Sequence, residues 1–411
     1  MDGVPSNGSV TVVGGGLAGW RAIETLRTDG YEGKITLVGA EQHLPYDRPP
    51  LSKQVLAGTW PPEKAVLADR RRSSELQVHE VLGHRAVSLD PEGGSVELDD
   101  GTVLGADGIV LATGVGPRPF PGAEALGPAD GVFVLRTLDD SLALRRAVTA
   151  RDASRVVIIG AGFIGAEVAS TCAALGCRVT VLEAMDTPLV PVLGPLLGGH
   201  CATLYDAHGI TLHTGVSVTS IERSGAGLVV TLAGREALEA DVVLVSIGVT
   251  LDTGWLERSG LVVDRGVVCD DRLYAGDKVV AAGDIARWNW HHDGEEELIR
   301  IEHWQVAAEA GVAAARSLLA GRKAARPFTP IPYFWSDQFG IRFQVLGSPR
   351  GDDDVEIVNG SLEEGKFVAL FGRTGRFRAV MAIGRPRQLM GYRPLLEQGS
   401  SWDDAMALTP G

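Results

Sequence analysis

Val12-Val13-Gly14-Gly15-Gly16-Leu17-Ala18-Gly19 opens the chain, and Ile158-Ile159-Gly160-Ala161-Gly162-Phe163-Ile164-Gly165 repeats its pattern further along. Each run carries an apolar strand into a helix through Gly-x-Gly-x-x-Gly. The first glycine makes a tight turn, the second lets backbone approach a pyrophosphate, and the third lets helix and strand pack closely. The helix N-terminus then receives the negative charge. One such run is weak evidence, because glycine turns arise for many reasons. Here each is followed by a second apolar strand ending in an acid, Glu41 and Glu183. The complete pattern, present twice, reads as two dinucleotide sites, for which a flavin and a nicotinamide are the natural pair.

Composition narrows what else the chain can be. Its 411 residues suit two or three domains, and 45% hydrophobic against 22% charged is the balance of a globular protein. A net charge of -14 argues against general nucleic-acid binding. Four cysteines without CxxC spacing argue against a disulfide framework, a structural zinc site or an iron-sulfur cluster within the chain. They fit a reducing compartment. The polar start from Met1 to Ser9 lacks the basic and apolar regions of a leader, and no run is long enough to span a bilayer, so a cytoplasmic protein is expected.

Strands are expected at Val10 to Val13, Lys34 to Val38, Gly108 to Ala112, Arg155 to Ile159, Arg178 to Leu182, Asp241 to Ser246 and Lys278 to Ala281, with helices between many of them. Ala106-Asp107-Gly108-Ile109-Val110-Leu111-Ala112-Thr113-Gly114 is echoed by Ala240-Asp241-Val242-Val243-Leu244-Val245-Ser246-Ile247-Gly248, which suggests two similar lobes. The order of fingerprints and echoes inserts the second lobe into the first. The expected domains are 1–115 and 244–323 as two parts of a flavin-binding domain, 116–243 as a nicotinamide-binding domain, and 324–411 as a C-terminal α+β domain of short alternating strands. Val279-Val280-Ala281-Ala282-Gly283-Asp284-Ile285-Ala286 reads as a strand entering a helix whose start holds Asp284. That carboxylate suits a ribityl hydroxyl, and a plain N-cap aspartate is the alternative.

Leu44-Pro45-Tyr46-Asp47-Arg48-Pro49-Pro50-Leu51-Ser52-Lys53, Ala112-Thr113-Gly114, Gly283-Asp284-Ile285-Ala286, Glu302-His303-Trp304 and Phe334-Trp335-Ser336-Asp337-Gln338 complete a second level of pattern. With the two fingerprints, these runs resemble the oxygenase-coupled, NADH-dependent ferredoxin reductases over essentially the whole chain. The resemblance implies an α/β, glutathione-reductase-like fold with two Rossmann-type domains and an α+β C-terminal domain. It implies bound FAD, NADH as donor, and an iron-sulfur ferredoxin, of [2Fe-2S] type, as acceptor. That acceptor would feed a haem-thiolate monooxygenase or a ring-hydroxylating dioxygenase.

Carried residue by residue, the resemblance puts Gly14, Gly16 and Gly19 on the FAD pyrophosphate and Glu41 on its ribose, with Arg48, Lys53, Ala112, Arg136, Asp284 and Trp304 as further neighbours. Gly160, Gly162, Ile164, Gly165, Glu183 and Gly248 would take NADH. Lys53 and Glu167 form the expected catalytic pair, the lysine stabilising negative charge on the flavin ring as hydride arrives. Glu183 would bind a ribose 2'-hydroxyl and repel a 2'-phosphate. No lysine or arginine occurs between Glu183 and His200, and Thr187 and Pro191 stand where relatives carry arginines.

Other features are weighed against blander readings. Cys172 and Cys177 have the C-x4-C spacing of redox disulfides, but both fall in the second lobe and read as buried structural thiols. Trp335, with Tyr333 and Phe334 before it, is open between an electron route and core packing. His291-His292 beside Trp290 reads as a solvated pair in a polar loop, with no metal site. Lys366, Arg373, Arg376, Arg378, Arg385, Arg387 and Arg393 occur without an intervening acid. Arg373, Arg376, Arg378 and Arg387 are the candidate docking face for an acidic ferredoxin, and Arg70-Arg71-Arg72 is a second candidate. Strand alternation could instead scatter the first set. Rubredoxin reduction, NADH oxidation, and NADH sensing in the manner of apoptosis-inducing factors remain as alternative functions, and no membrane or nucleic-acid partner is expected.

Overall fold

A computed structural model describes residues 3–225, 227–292 and 295–408, with backbone alone at His292 and Glu295. The polar start at Met1 and Asp2, the side chain of His292 and the last three positions of the 324–411 domain lie outside the described residues. Two compact units result. The first comprises 1–47, 66–116 and 251–333, and the second 48–65, 117–250 and 334–411.

The first unit is built on a five-stranded parallel sheet in the order Val279–Ala281, Gly108–Leu111, Ser9–Val13, Lys34–Gly39, Val78–Leu82. Its central strands are nearly continuous β-branched and leucine runs because both faces are covered. The order reverses beside Ser9–Val13, which leaves a crevice at the carboxyl ends of that strand and its neighbour. Helices Leu17–Thr28 and Trp304–Ala320 pack closely: a Cβ on Gly311 would lie 2.2 Å from the Ala18 carbonyl oxygen. Trp20, Ile23, Leu26, Val306 and Ala314 are buried in the same core as the strands. Each large side chain so buried contributes about 1.5–3 kcal/mol.

The second unit repeats this plan with Thr211–His213, Arg178–Leu182, Arg155–Ile159, Val242–Val245 and Val132–Phe133 in parallel order. The two echoed segments are equivalent strands: Gly108–Leu111 pairs with the first fingerprint strand, and Val242–Val245 with the second. The expected α/β architecture with two Rossmann lobes is therefore observed. The C-terminal part forms an antiparallel sheet in the order Tyr333–Gln338, Ile341–Gly347, Arg376–Ile383, Lys366–Arg373, Asp354–Ser361. Phe343, Phe367, Phe371 and Met381 on one face enclose Leu193 and Leu197 of the Val190–Ala207 helix.

Segment 48–65 packs with the second unit although the chain on either side of it belongs to the first. It forms a short 3-10 turn, Pro49–Ser52, and a one-turn helix, Gln54–Ala57. Leu56 is buried with Phe133, Leu144 and Val168. Ser141 Oγ donates to the Leu51 carbonyl at 2.7 Å, and Thr171 Oγ1 to the Ser52 carbonyl at 2.8 Å.

One expected element is wrong. Asp284 heads no helix: it lies in a 3-10 turn, Gly283–Ile285, from which the chain continues as the strand Ala286–His292, paired antiparallel with Glu295–Ile299. The cause is visible in period two, since Ala286, Trp288 and Trp290 are buried between half-buried Arg287 and Asn289. The Trp288 indole N–H also donates to the Phe328 carbonyl at 3.1 Å. His291-His292 consequently close a strand rather than sit in a polar loop. Among the described residues, no helix is long and apolar enough to cross a membrane.

Candidate active site

The first fingerprint is shaped for a phosphate group. Gly14 has φ +123°, and a Cβ there would lie 2.1 Å from the Ala112 carbonyl oxygen, so only glycine fits the turn. A Cβ on Gly19 would lie 2.1 Å from the Gly14 carbonyl oxygen, whereas one on Gly16 would meet nothing within 4 Å. The open side of the loop therefore faces away from protein, at a helix start with no acid in its first turn and no side-chain cap. Those uncapped N–H groups and the axial dipole suit a pyrophosphate.

The first unit also holds Glu41, Ala112, Asp284 and Trp304, of which Ala112 and the Asp284 turn lie against the fingerprint. Glu41 accepts the Tyr46 phenol. Gly283, beside Asp284, has φ +72°, and a Cβ there would sit 3.0 Å from the Ala18 Cβ, so the Asp284 turn abuts the fingerprint helix. The Trp304 indole N–H donates to Asp47 Oδ1 at 2.8 Å. Burial pushes the Asp47 carboxyl above the usual carboxylate range, against the Trp304 hydrogen bond that pulls it down. Burial likewise brings His303 down to about 4, leaving its imidazole neutral near pH 7.

The second unit holds the matching cradle. Gly160 has φ +103°, and its Cβ would lie 2.2 Å from the Ser246 carbonyl oxygen, the counterpart of the Gly14 contact with Ala112. A Cβ on Gly165 would lie 2.1 Å from the Gly160 carbonyl oxygen, and one on Gly162 would meet nothing within 4 Å. Ile164, in the first turn of the helix Phe163–Ala174 that follows, leaves 45% of its surface exposed. Gly248 has φ +97° and open space around its Cβ direction. Glu183 does more than end a strand: its carboxylate accepts the Ala161 amide at 2.8 Å and the Met185 amide at 3.0 Å. These bonds fix the acid against the glycine loop and leave lone pairs for a ribose hydroxyl.

Arg48, Lys53 and Arg136 also belong to the second unit. Arg48 donates to the Arg136 carbonyl at 2.5 Å. Lys53 Nζ lies 2.7 Å from Glu167 Oε2, their side chains 12% and 7% exposed. The sequence-expected pair is thus formed, across two elements far apart in the chain. What the sequence reading missed is the rest of its shell. Ser52 Oγ donates to Oε2 at 2.5 Å, while Ser336 Oγ at 2.7 Å and the Asp337 amide at 3.2 Å reach Oε1. The signal was present, because Ser52 and Ser336 stand inside the Leu-Ser-Lys and Trp-Ser-Asp-Gln runs.

Cys172 and Cys177 meet for a local reason. The Cys177 amide donates to the Cys172 carbonyl at 3.0 Å and the Gly176 amide to the Ala173 carbonyl at 2.9 Å, the Schellman closure of the Phe163–Ala174 helix. Both are free, as are Cys201 and Cys269. Interaction with Cys177 and burial push the Cys172 thiol well above the usual thiol range, while the same interaction lowers Cys177 against the effect of its burial. Replacing both by alanine is expected to leave NADH-driven flavin reduction unchanged in stopped flow; a lost or thiol-dependent reduction would return them to the chemistry.

The candidate docking arginines are not uniformly available. A bulge between Phe371 and Gly372 sets Arg376 opposite Arg373 and turns Phe377 toward Tyr392, 5.7 Å away. Arg373 lies 3.2 Å from Asp353, Arg376 donates to the Gly399 carbonyl, and Arg393 pairs with Glu397. Arg376 and Arg387 are exposed, and Arg378 is half-buried. Phe334 packs edge-on against Phe163 at 5.1 Å, and Tyr333 and Trp335 are half-buried. Arg71 and Arg72 pair with Glu75.

Residues 8–311 match the pyridine nucleotide-disulphide oxidoreductase family, and residues 333–410 match the reductase C-terminal family. The ferredoxin–NAD(+) reductase subunit of the benzene 1,2-dioxygenase system of Pseudomonas putida is 35% identical over 94% of this chain and 92% of its own. Rhodocoxin reductase of Rhodococcus erythropolis is 33% identical over 94% and 89%. Among solved structures, the covalent putidaredoxin reductase–putidaredoxin complex superposes with TM-score 0.89 at 31% identity, covering 96% of this chain and 94% of that one. With its paired dinucleotide cradles and its C-terminal antiparallel sheet, the chain belongs to the pyridine nucleotide-disulphide oxidoreductase family, in the branch of ferredoxin–NAD(+) reductases of oxygenase systems.

Proposed function

We propose that this protein is an FAD-dependent NADH:ferredoxin oxidoreductase that supplies electrons to an oxygenase. The observation that carries the reading is the pair of glycine cradles, each with an uncapped helix start and an acid at the end of the next strand. FAD takes the first site and NADH the second. When bound, FAD accepts two electrons from NADH as a hydride and gives them up singly to iron-sulfur acceptors. The chain's part is to bind, align and stabilise charge. Gly14, Gly16 and Gly19 admit one pyrophosphate and Gly160, Gly162 and Gly165 the other, while Glu41 and Glu183 hold ribose hydroxyls. Arg48, Ala112, Arg136, Asp284 and Trp304 complete the FAD contacts, with Ile164 and Gly248 on the NADH side. Lys53 supplies the cation that faces negative charge on the reduced ring, and Glu167 holds it.

Four cysteines without CxxC spacing support a reducing, cytoplasmic setting, and the ferredoxin reductases among the relatives support an external acceptor for the electrons. Anaerobic titration with NADH is expected to bleach the flavin, and cytochrome c reduction is expected only when a ferredoxin is added. Bleaching with no ferredoxin-dependent step, and steady oxygen consumption instead, would make it an NADH oxidase.

Docking of the acidic partner is assigned to the exposed arginines of the C-terminal part. Reversing charge at Arg376 and Arg387 together is expected to raise KM for ferredoxin about tenfold at low salt and leave KM for NADH unchanged. Equal KM values for the ferredoxin would remove this face.

A further inference from the structure

We infer that Ser336 and Ser52 are positioning residues for the Lys53–Glu167 pair, acting on the flavin through Lys53 without touching it. The inference rests on the proposed reading of FAD bound beside Lys53. Its basis is the division of labour at Glu167, whose side chain is buried between two oxygens' worth of donors. Oε2 receives Ser52 Oγ at 2.5 Å and Lys53 Nζ at 2.7 Å. Oε1 receives Ser336 Oγ at 2.7 Å and the Asp337 amide at 3.2 Å. Behind them the Gln338 amide nitrogen donates to Ser336 Oγ at 3.3 Å, so the serine hydroxyl has one lone pair filled and its proton aimed at the carboxylate.

Three successive residues, Ser336, Asp337 and Gln338, are thereby spent on one carboxylate oxygen. All three lie on the Tyr333–Gln338 strand, which has no chain connection to the Phe163–Ala174 helix except through the intervening fold. A lysine has a long flexible stem and no preferred direction of its own. Its ammonium is placed only as well as the carboxylate it grips, and that carboxylate is free to turn about its last bond unless both oxygens are held. Ser52 holds one oxygen from the segment that carries Lys53, and Ser336 holds the other from the C-terminal sheet. Pre-set charges of this kind stabilise a developing anion without reorganising when it forms, and a small misplacement is costly.

The test uses the FAD-loaded protein with Ser336→Ala, Ser52→Ala and Ser336→Thr. Flavin reduction is followed against NADH concentration in stopped flow, and the flavin midpoint potential is measured by dye equilibration, with flavin content and melting temperature as checks on folding. Each alanine variant is expected to reduce its flavin about tenfold more slowly at saturating NADH, the scale of one lost hydrogen bond to a charged group. The midpoint potential should move to more negative values, and the apparent NADH dissociation constant should stay unchanged. Ser336→Thr, which keeps the hydroxyl, should restore both. Limiting rate and potential equal to those of the unsubstituted protein in the alanine variants would overturn the inference, as would a change in NADH affinity alone. If Ser336→Ala fails to fold, Ser52→Ala decides by the same two readouts. Failure of the underlying reading looks different: the unsubstituted protein would itself not be reduced by NADH or not pass electrons to ferredoxin.

Discussion

Replacing Lys53 by methionine is expected to slow reduction of the bound flavin by NADH about a hundredfold, with FAD still bound and NADH affinity little changed. The size is that of removing one pre-set electrostatic partner from a reacting centre. The fold should survive, for a reason found in the geometry. Breaking a buried ion pair from one side usually leaves an uncompensated charge and costs about 3–5 kcal/mol. Here Glu167 keeps two hydroxyl donors and a backbone amide after Lys53 is gone, so the carboxylate is not orphaned. Methionine also retains most of the lysine stem. Stopped-flow reduction under nitrogen and flavin content after gel filtration measure the two halves of the prediction. An unchanged rate with full flavin would remove Lys53 from the mechanism. Loss of flavin would make it a binding residue instead.

The second large effect is expected at Glu183. The unsubstituted protein should prefer NADH over NADPH by at least about a hundredfold in kcat/KM, since a 2'-phosphate would meet a carboxylate held in place by the Ala161 and Met185 amides. Glu183→Gln removes the charge and keeps the size. It should lower kcat/KM for NADH about tenfold, the loss of a hydrogen bond to a charged acceptor, and raise that for NADPH, with flavin reduction at saturating NADH preserved. The two backbone amides make the substitution informative, because the glutamine carbonyl can keep only one of them while its amide nitrogen would oppose the other. A small drop in melting temperature should accompany the change in specificity. Comparable use of both nucleotides before substitution would defeat the argument.

Both lobes were legible from short-range pattern. Glycines at fixed spacing, β-branched runs and terminal acids are local requirements of a strand-turn-helix unit. The internal echo at 106–114 and 240–248 then matched equivalent strands, down to the contacts of Gly14 with Ala112 and Gly160 with Ser246. The stretch after Asp284 was misread because a strand start and a helix start look alike for one turn. What settles it is the alternation of Trp288 and Trp290 and a hairpin partner.

Charge and proximity were legible only in part. The interval from Glu183 to His200 contains no lysine or arginine, yet Gly351, next to Arg350 in the loop between strands Ile341–Gly347 and Asp354–Ser361, donates to the Pro191 carbonyl at 3.0 Å and so brings a remote loop to the start of the Val190–Ala207 helix. The run of arginines from 373 to 393 looked uniform in sequence. A single bulge and two carboxylates, Asp353 for Arg373 and Glu397 for Arg393, separate ion-paired members from Arg376 and Arg387, which stay exposed.

By itself, then, the sequence determined that there are two glycine-rich strand-turn-helix units, which glycines make their turns and close approaches, and that Cys172 and Cys177 fall in the second. Those properties depend on backbone conformation within a few residues. Only the tertiary structure decided that segment 48–65 leaves its neighbours to join the second unit, and that Ser52, Lys53, Ser336 and Asp337 converge on Glu167. A buried carboxylate takes its donors from whichever elements packing brings within about 3 Å, and packing depends on the complementary surfaces of segments far apart in the chain.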